Sequence, residues 1–406
     1  AGPSGRPLPP PSPPACLLPP PAEALALHAE LAEQPLDPHQ LEAVLSEAQR
    51  TVVRAQVGSG KTTVLVHTLL DLHRRRGVPL DEIVVLTFSR RAAGELRERL
   101  ARAGIEPPPG WLGGTFHSVA LRLLRDHLEV ERLGHGREFE VLDAEARDEL
   151  WERLIAQHGL RVRYEKRLAA RYEAWRQGRS FGRSKRSDDL VGLFALAREE
   201  KLRRDCMDFD DLLANATRLL EDRAYREEPL RPSWILIDEL QDTQDEELAL
   251  VEALSRAGAR SGSGEQGGRV FAVGDPSQTI YTWRGAGACP FARLERGGAR
   301  RLSLPVNYRS TSTIVSAAQV FRSGAQALVP SRAEGAPLRV LDHHDAVSEA
   351  HYLAGRLREL HQAGCPWGEI ALLVRTRRQL EPLASALKRA GLPVERVDPP
   401  ESAALT

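Results

Sequence analysis

Cysteine is scarce in this 406-residue sequence, and the four present, Cys16, Cys206, Cys289 and Cys365, are scattered with no C-x-x-C pair. That weighs against a disulfide scaffold and against zinc, and favours small buried apolar residues in a reducing compartment. Net charge is lacking too, because Lys+Arg and Asp+Glu each number 56. A polyanionic partner must then be held by local basic surface and not by a globally positive molecule. No apolar run reaches transmembrane length, and the start has no apolar core of signal-peptide length. A cytoplasmic protein is expected. At 406 residues the chain is too long for one ordinary core, so two or more domains are expected.

What is present begins with proline. Residues 1–21 include Pro9-Pro10-Pro11 and Pro19-Pro20-Pro21, and proline has no amide donor and cannot continue a helix. Residues 1–35 are therefore expected to be an extended or disordered arm. Ala1 fits either removal of an initiator methionine or a chain that starts within a longer gene.

The run Val53-Arg54-Ala55-Gln56-Val57-Gly58-Ser59-Gly60-Lys61-Thr62-Thr63 reads as a phosphate-binding loop. A β-rich stretch precedes the glycines, and Val64-Leu65-Val66-His67-Thr68-Leu69-Leu70 follows at helical spacing. Gly58 and Gly60 let the backbone turn its N–H groups inward around a polyphosphate, and the helix N-terminus adds positive potential there. Nucleotide contacts are expected from Ala55 through Thr63, that is from Ala55, Gln56, Val57, Gly58, Ser59, Gly60, Lys61, Thr62 and Thr63. Lys61 would reach the β- and γ-phosphates and the Thr62 hydroxyl would bind Mg²⁺. Ala55 stands where such loops usually have their first glycine. ATP and Mg²⁺ are the cofactors implied.

Two further strand ends complete the chemistry. Trp234-Ile235-Leu236-Ile237-Asp238-Glu239 is a buried parallel-strand pattern ending in two carboxylates. At the carboxyl edge of such a sheet Asp238 would hold Mg²⁺ and Glu239 would act as general base toward the attacking water. After Val270-Phe271-Ala272-Val273 comes Gly274-Asp275-Pro276-Ser277-Gln278, then Tyr281, Trp283 and Arg284. This sets a γ-phosphate sensor, Gln278, beside two aromatic platforms and a cation, the means by which proteins hold unpaired bases without reading sequence.

Together these strings resemble the UvrD/Rep/PcrA family of superfamily-one DNA helicases, over about residues 36–394 and in the family's order. Leu36-Asp37-Pro38-His39-Gln40 resembles the adenine-reading element, with Gln40 as its amide. Thr87 and Phe88, in Ile83-Val84-Val85-Leu86-Thr87-Phe88-Ser89, and His117, in Gly114-Thr115-Phe116-His117-Ser118, fall in motifs that face single-stranded DNA. Asp208-Phe209-Asp210-Asp211-Leu212-Leu213 is another family segment. Leu304-Pro305-Val306-Asn307-Tyr308-Arg309-Ser310 resembles the motif opening the second motor domain. By that analogy Tyr308 stacks on adenine and Arg309 is an arginine finger.

The resemblance implies an α/β fold of two RecA-like P-loop domains with parallel sheets: the first over 36–298, carrying a basic helical insertion at about 120–205, the second starting at 299. Strands are expected at 338–341 and 370–375. The family's large second insertion, its Ser-Lys-Gly motif and its late arginine motif do not occur before Thr406, so the second domain is expected to be incomplete. The chain is then either the N-terminal portion of a longer helicase or a truncated protein that hydrolyses ATP poorly.

The function implied is an ATP-dependent helicase or translocase acting on single-stranded DNA and its junctions with duplex, with 3′-to-5′ polarity, in repair or replication. An ATP-gated DNA-binding module without unwinding, and the motor part of a RecB- or AddA-like helicase–nuclease, remain as alternatives. Between residues 161 and 204, Arg161, Arg163, Lys166, Arg167, Arg171 and Arg176 are interleaved with Tyr164, Tyr172 and Trp175. That pattern fits either duplex phosphate contacts or a solvated arginine-rich helix face. Asp342-His343-His344-Asp345 offers metal-ligand residue types, but adjacency without convergent geometry is no site.

Overall fold

The computed structural model describes residues 22–31, 35–162, 168–176, 189–258, 267–279, 289–322 and 327–396. It divides into one unit ending at Gly335 and another starting at Ala336. No helix among the described residues is long and apolar enough to cross a membrane.

The first unit is built on strands β1 (Arg50–Ala55), β2 (Ile83–Thr87), β3 (Gly113–Thr115), β4 (Glu140–Leu142), β5 (Cys206–Asp208), β6 (Trp234–Ile237), β7 (Arg269–Gly274) and β8 (Arg300–Leu304). Six of them form one sheet in the order β3-β2-β6-β7-β1-β8, with every neighbouring pair parallel. Alternate residues of a strand point to opposite faces, and here both faces are buried. Val52, Val84, Ile235 and Ala272 enter one core, while Val53, Val85, Leu236 and Val273 enter the other. That is why β2 and β6 are unbroken apolar runs and not alternating ones.

Helix α1 (Ala22–Leu31) corrects the expectation of a disordered arm over 1–35. The proline-rich run ends at Pro21, and the Ala- and Leu-rich stretch over 22–31 is strong helix former. Its Ala24 and His28 are buried. Helices α2 (Pro38–Val44), α3 (Lys61–Leu70) and α4 (Arg90–Arg102) cover one face of the sheet. Asp37 starts α2 through a reciprocal capping box with Gln40, and Ser89 caps α4 by accepting from the Ala92 amide.

On the other face α5 (Phe116–Arg122) leads into the helical insertion: α6 (Ala144–His158), α7 (Leu168–Arg176) and α8 (Leu190–Arg203), closed at its base by the β4–β5 pair. The insertion has its own core around Trp151, Leu154, Tyr172, Leu193 and Phe194. Tyr172 stacks on Trp175 with centroids 5.8 Å apart. These two aromatics pack within the insertion. Arg163, Tyr164, Lys166 and Arg167 lie outside the described residues. Helices α9 (Phe209–Glu221), α10 (Asp245–Ala257) and α11 (Pro290–Arg296) complete that face.

Strand β8 pairs with β1 from Thr51↔Arg300 to Ala55↔Leu304, so the boundary expected at 298/299 falls before a strand that belongs to the first sheet. After it, β9 (Val306–Thr311) pairs in parallel with β10 (Val329–Arg332), with α12 (Ser312–Gln319) between them. In the second unit α13 (Ala346–Gln362) and α14 (Arg377–Arg389) pack through Ala354, Leu357, Leu387 and Leu392. The strands expected at 338–341 and 370–375 do not form, and Val340 and Leu373 are 97% and 96% exposed. Of the three described cysteines only Cys206 is buried, Cys289 being exposed and Cys365 half-buried.

Candidate active site

The loop expected to bind phosphate sits where β1 hands over to α3, at the carboxyl edge of the parallel sheet. Gly58 and Gly60 have φ of +65° and +81°, a region that side chains rarely enter. A Cβ on Gly58 would lie 2.8 Å from the Arg309 Cβ, and one on Gly60 2.8 Å from Gln40 Nε2. Ala55 is the buried last residue of β1, an extended position that needs no glycine. The Gln56 amide continues the ladder by donating to the Leu304 carbonyl (3.1 Å). Ser59 is buried and its Oγ has no hydrogen-bond partner among the described residues. Lys61, Thr62 and Thr63 form the first turn of α3.

Across the cleft, β6 delivers the acidic pair. Lys61 Nζ lies 2.6 Å from Glu239 Oε2, with the side chains 11% and 32% exposed. Glu239 adopts φ +51°, so the chain turns sharply and presents its carboxylate to the loop. Asp238 is buried, and burial, then the neighbouring Glu239 charge, push its carboxyl up to about 7 against the opposing effect of Lys61. Gln241 had no assigned role in the sequence, yet its Nε2 donates to Glu239 Oε2 (2.7 Å) while its Oε1 accepts from the Asp275 amide (2.9 Å). Gln278 in turn donates to Asp275 Oδ2 (2.9 Å). One amide thus ties the ends of β6 and β7 together.

The third wall is β9. Asn307 Nδ2 donates to the Val57 carbonyl (2.8 Å) and the Tyr308 amide to the Gly58 carbonyl (2.8 Å), so β9 is stitched to the loop. Tyr308 Oη donates to Asp37 Oδ2 (2.5 Å) and Gln40 Nε2 donates to the Ser59 carbonyl (3.0 Å). Burial and the Asp37 carboxylate raise the Tyr308 phenol far above its ordinary range, so it stays protonated. The cleft enclosed by the loop, Glu239, Gln278, Tyr308 and Arg309 has a volume of about 390 Å³. Glu95 and Arg99 of α4 also line it, and Arg99 reaches Thr63 Oγ1 (3.4 Å). Neither carried a sequence signal. Arg322, beyond α12, contacts Gln56 and Asp275, again from a segment with no recognisable motif.

The family model for the UvrD/REP helicase N-terminal domain matches residues 36–296, and that for the UvrD-like helicase C-terminal domain matches 302–401. The chain belongs to the UvrD/REP helicase family. It is 31% identical to DNA helicase II of Escherichia coli K12 over 379 residues, covering 88% of this chain and 51% of that protein. With ATP-dependent DNA helicase UvrD1 of Mycobacterium tuberculosis H37Rv it shares 30% identity over 390 residues, 89% of this chain and 49% of the relative. With ATP-dependent DNA helicase PcrA of Bacillus subtilis it shares 28% over 377 residues, 88% and 49%. The chain spans about half the length of the curated relatives it matches.

Within this UvrD-type framework the residues expected to face DNA divide. Thr87 ends β2 with its side chain buried, its Oγ1 lying 3.3 Å from both the Gly114 and Ser89 carbonyls. Phe88 follows it, half-buried. His117, in the first turn of α5, meets the Phe209 ring edge-on at 5.6 Å, and burial lowers it to about 4, so it is neutral. Tyr281, Trp283 and Arg284 lie outside the described residues. The donor set fits a magnesium-bound nucleotide: an orphan Ser59 hydroxyl, two glycines that admit no side chain, and a carboxylate whose charge burial disfavours unless a cation arrives.

Proposed function

We propose that this chain is motor machinery of an ATP-dependent DNA helicase, coupling ATP hydrolysis to movement along single-stranded DNA. The movement runs 3′ to 5′, and the substrates are single strands and their junctions with duplex in repair or replication. The observation that carries this reading is the 2.6 Å contact between Lys61 and Glu239 at the mouth of a cleft also lined by Gln278 and Arg309. Lys61, Glu239, Gln278 and Arg309, which this reading takes as phosphate lysine, general base, γ-phosphate sensor and finger, line one cavity. The names of the relatives support the same activity.

Without nucleotide, Lys61 and Glu239 neutralise each other. Triphosphate would draw the Lys61 ammonium away, leaving the Glu239 carboxylate held by Gln241 and free to accept a proton from water. That water's oxygen attacks the γ-phosphorus as the bond to the bridging β–γ oxygen breaks, with ADP as leaving group. Thr62 and Asp238 would hold Mg²⁺, which when bound neutralises charge on the β- and γ-oxygens. The exposed Arg309 guanidinium would do the same from β9. Because Asn307 and Tyr308 grip the loop backbone, a change in loop occupancy is transmitted to β9, which lies within the segment matched by the second family model. We assign two RecA-like domains to this cycle, with the single-strand grip alternating between them.

DNA-stimulated ATP hydrolysis by the full chain tests the reading. Lys61→Ala and Glu239→Gln should each lower kcat by about 10²-fold or more. Equal rates in wild type and variants would remove the motor interpretation.

A further inference from the structure

The helical insertion touches the motor beside the family segment at 208–213 and at Glu246, which lies in no quoted motif. Tyr172 and Arg176 of α7 are one helical turn apart and so share a face. From that face Tyr172 Oη accepts from Lys201 Nζ (2.9 Å), and Lys201, itself buried, also donates to Asp208 Oδ2 (2.9 Å) and Asp211 Oδ2 (2.5 Å). Those two aspartates form the capping box of α9. Arg176 Nη2 donates to Glu246 Oε1 (2.5 Å) in the first turn of α10, with the side chains 15% and 24% exposed.

Glu246 lies seven residues after Glu239, and between them Gln244 and Asp245 are exposed while the rest of the chain is buried or half-buried. Leu240, Gln241, Thr243 and Glu247 are buried, and Glu247 Oε2 accepts from the Gln244 amide (2.8 Å) to cap α10. Gln241, in this same run, holds the Glu239 carboxylate. A shift of the first turn of α10 is therefore passed to the general base. Beneath α7 lies a cavity of about 580 Å³ lined by Trp175, Arg198, Lys201, Asn215 and Arg218. At this point α7 meets the motor through one ion pair, Arg176–Glu246, beside a cleft and not through a filled apolar seam.

We propose that the Arg176–Glu246 ion pair couples the helical insertion to the hydrolytic carboxylate, making Arg176 a positioning residue through which DNA held by the protein sets the ATPase rate. This rests on the motor reading above. Lys201 and Tyr172 fix the pivot, Arg176 transmits, and the run from Gln241 to Glu246 receives.

The test is ATP hydrolysis by the full chain with and without a single-stranded oligonucleotide, in wild type, Arg176→Ala, Glu246→Ala and the charge-reversed double variant Arg176→Glu/Glu246→Arg. Each single variant should lose the DNA-dependent increment in kcat by about fivefold or more, the lower end of ordinary coupling. Basal rate and KM for ATP should stay at wild-type values, and the double variant should regain most of the increment. Singles that keep the full increment, or a double no better than the worse single, would overturn the coupling. A wild type with no DNA-dependent increment at all would instead overturn the motor reading, and this inference with it.

Discussion

Asn307 donates from Nδ2 to the Val57 carbonyl (2.8 Å) and accepts on Oδ1 from the amides of Arg309 (3.0 Å) and Ser310 (2.8 Å), while only 1% exposed. It thus sets both the distance of β9 from the Gly58–Gly60 loop and the backbone from which Arg309, the proposed finger, projects. Alanine there leaves polar groups unpaired, at about 1–3 kcal/mol each where water cannot replace the amide. Asn307→Ala should lower kcat of DNA-stimulated hydrolysis about tenfold, the equivalent of one such group, with a smaller change in KM for ATP. Steady-state kinetics check this, and a wild-type kcat would mean that Arg309 finds its place unaided. Gly60→Ala carries two costs at once, a φ of +81° and a Cβ 2.8 Å from Gln40 Nε2. A fluorescent ATP analogue should show its binding weakened by at least about tenfold, since either cost alone is of order 1 kcal/mol.

At the scale of elements, the far end of α3 is anchored by charge. The chain passes from Leu70 into one π-helical turn, Asp71–Arg75, where the fully buried Asp71 carboxylate accepts from Arg75 Nε (2.6 Å) and Arg76 Nε (2.7 Å). His28 of α1 faces it at 3.5 Å and lies 2.9 Å from His67 of α3, which burial keeps neutral by lowering it to about 4. Burial alone would raise the Asp71 carboxyl, but His28, Arg75 and Arg76 hold it well below the usual carboxylate range. A depressed acid stabilises the fold above its unfolded pKa, about 3.9, and that contribution is lost as pH falls through the lower folded value. Asp71→Asn should therefore cost about 3 kcal/mol at neutral pH, seen as a lower Tm, with a shallower loss of Tm below about pH 4 than wild type. A variant with wild-type Tm at pH 7 would mean that the arginines are solvated without it. Local determinants explain what was legible here. The loop from Val57 to Lys61 carries its whole signal in consecutive residues, so strand, turn and helix follow from the string. Gln241, Asn307 and Arg322 act by reaching other segments, which no string displays. The apolar runs around Val340 and Leu373 read as strands because β-formers say only that a segment suits a sheet; a ladder needs a partner.

For the whole molecule, the balance of 56 basic and 56 acidic residues removes net charge as a source of affinity for DNA. Part of the basic charge is also spent internally: Lys201, Arg75, Arg76, Arg176 and Arg54 are all paired with carboxylates in the first unit. On the proposed reading, binding of a single strand would then come from a short row of direct phosphate contacts and stacked bases, not from a diffuse field. Each neutralised phosphate of a single strand contributes about −0.7 to the slope of log affinity against log salt. A grip of about four phosphates gives a slope near −3, so affinity should fall by roughly 60-fold between about 50 and 200 mM salt. Fluorescence anisotropy of a labelled single-stranded oligonucleotide reads this directly. A slope near zero would assign the affinity to stacking alone. One near −7 or steeper would require about ten phosphates in contact, more than a short row of direct contacts supplies.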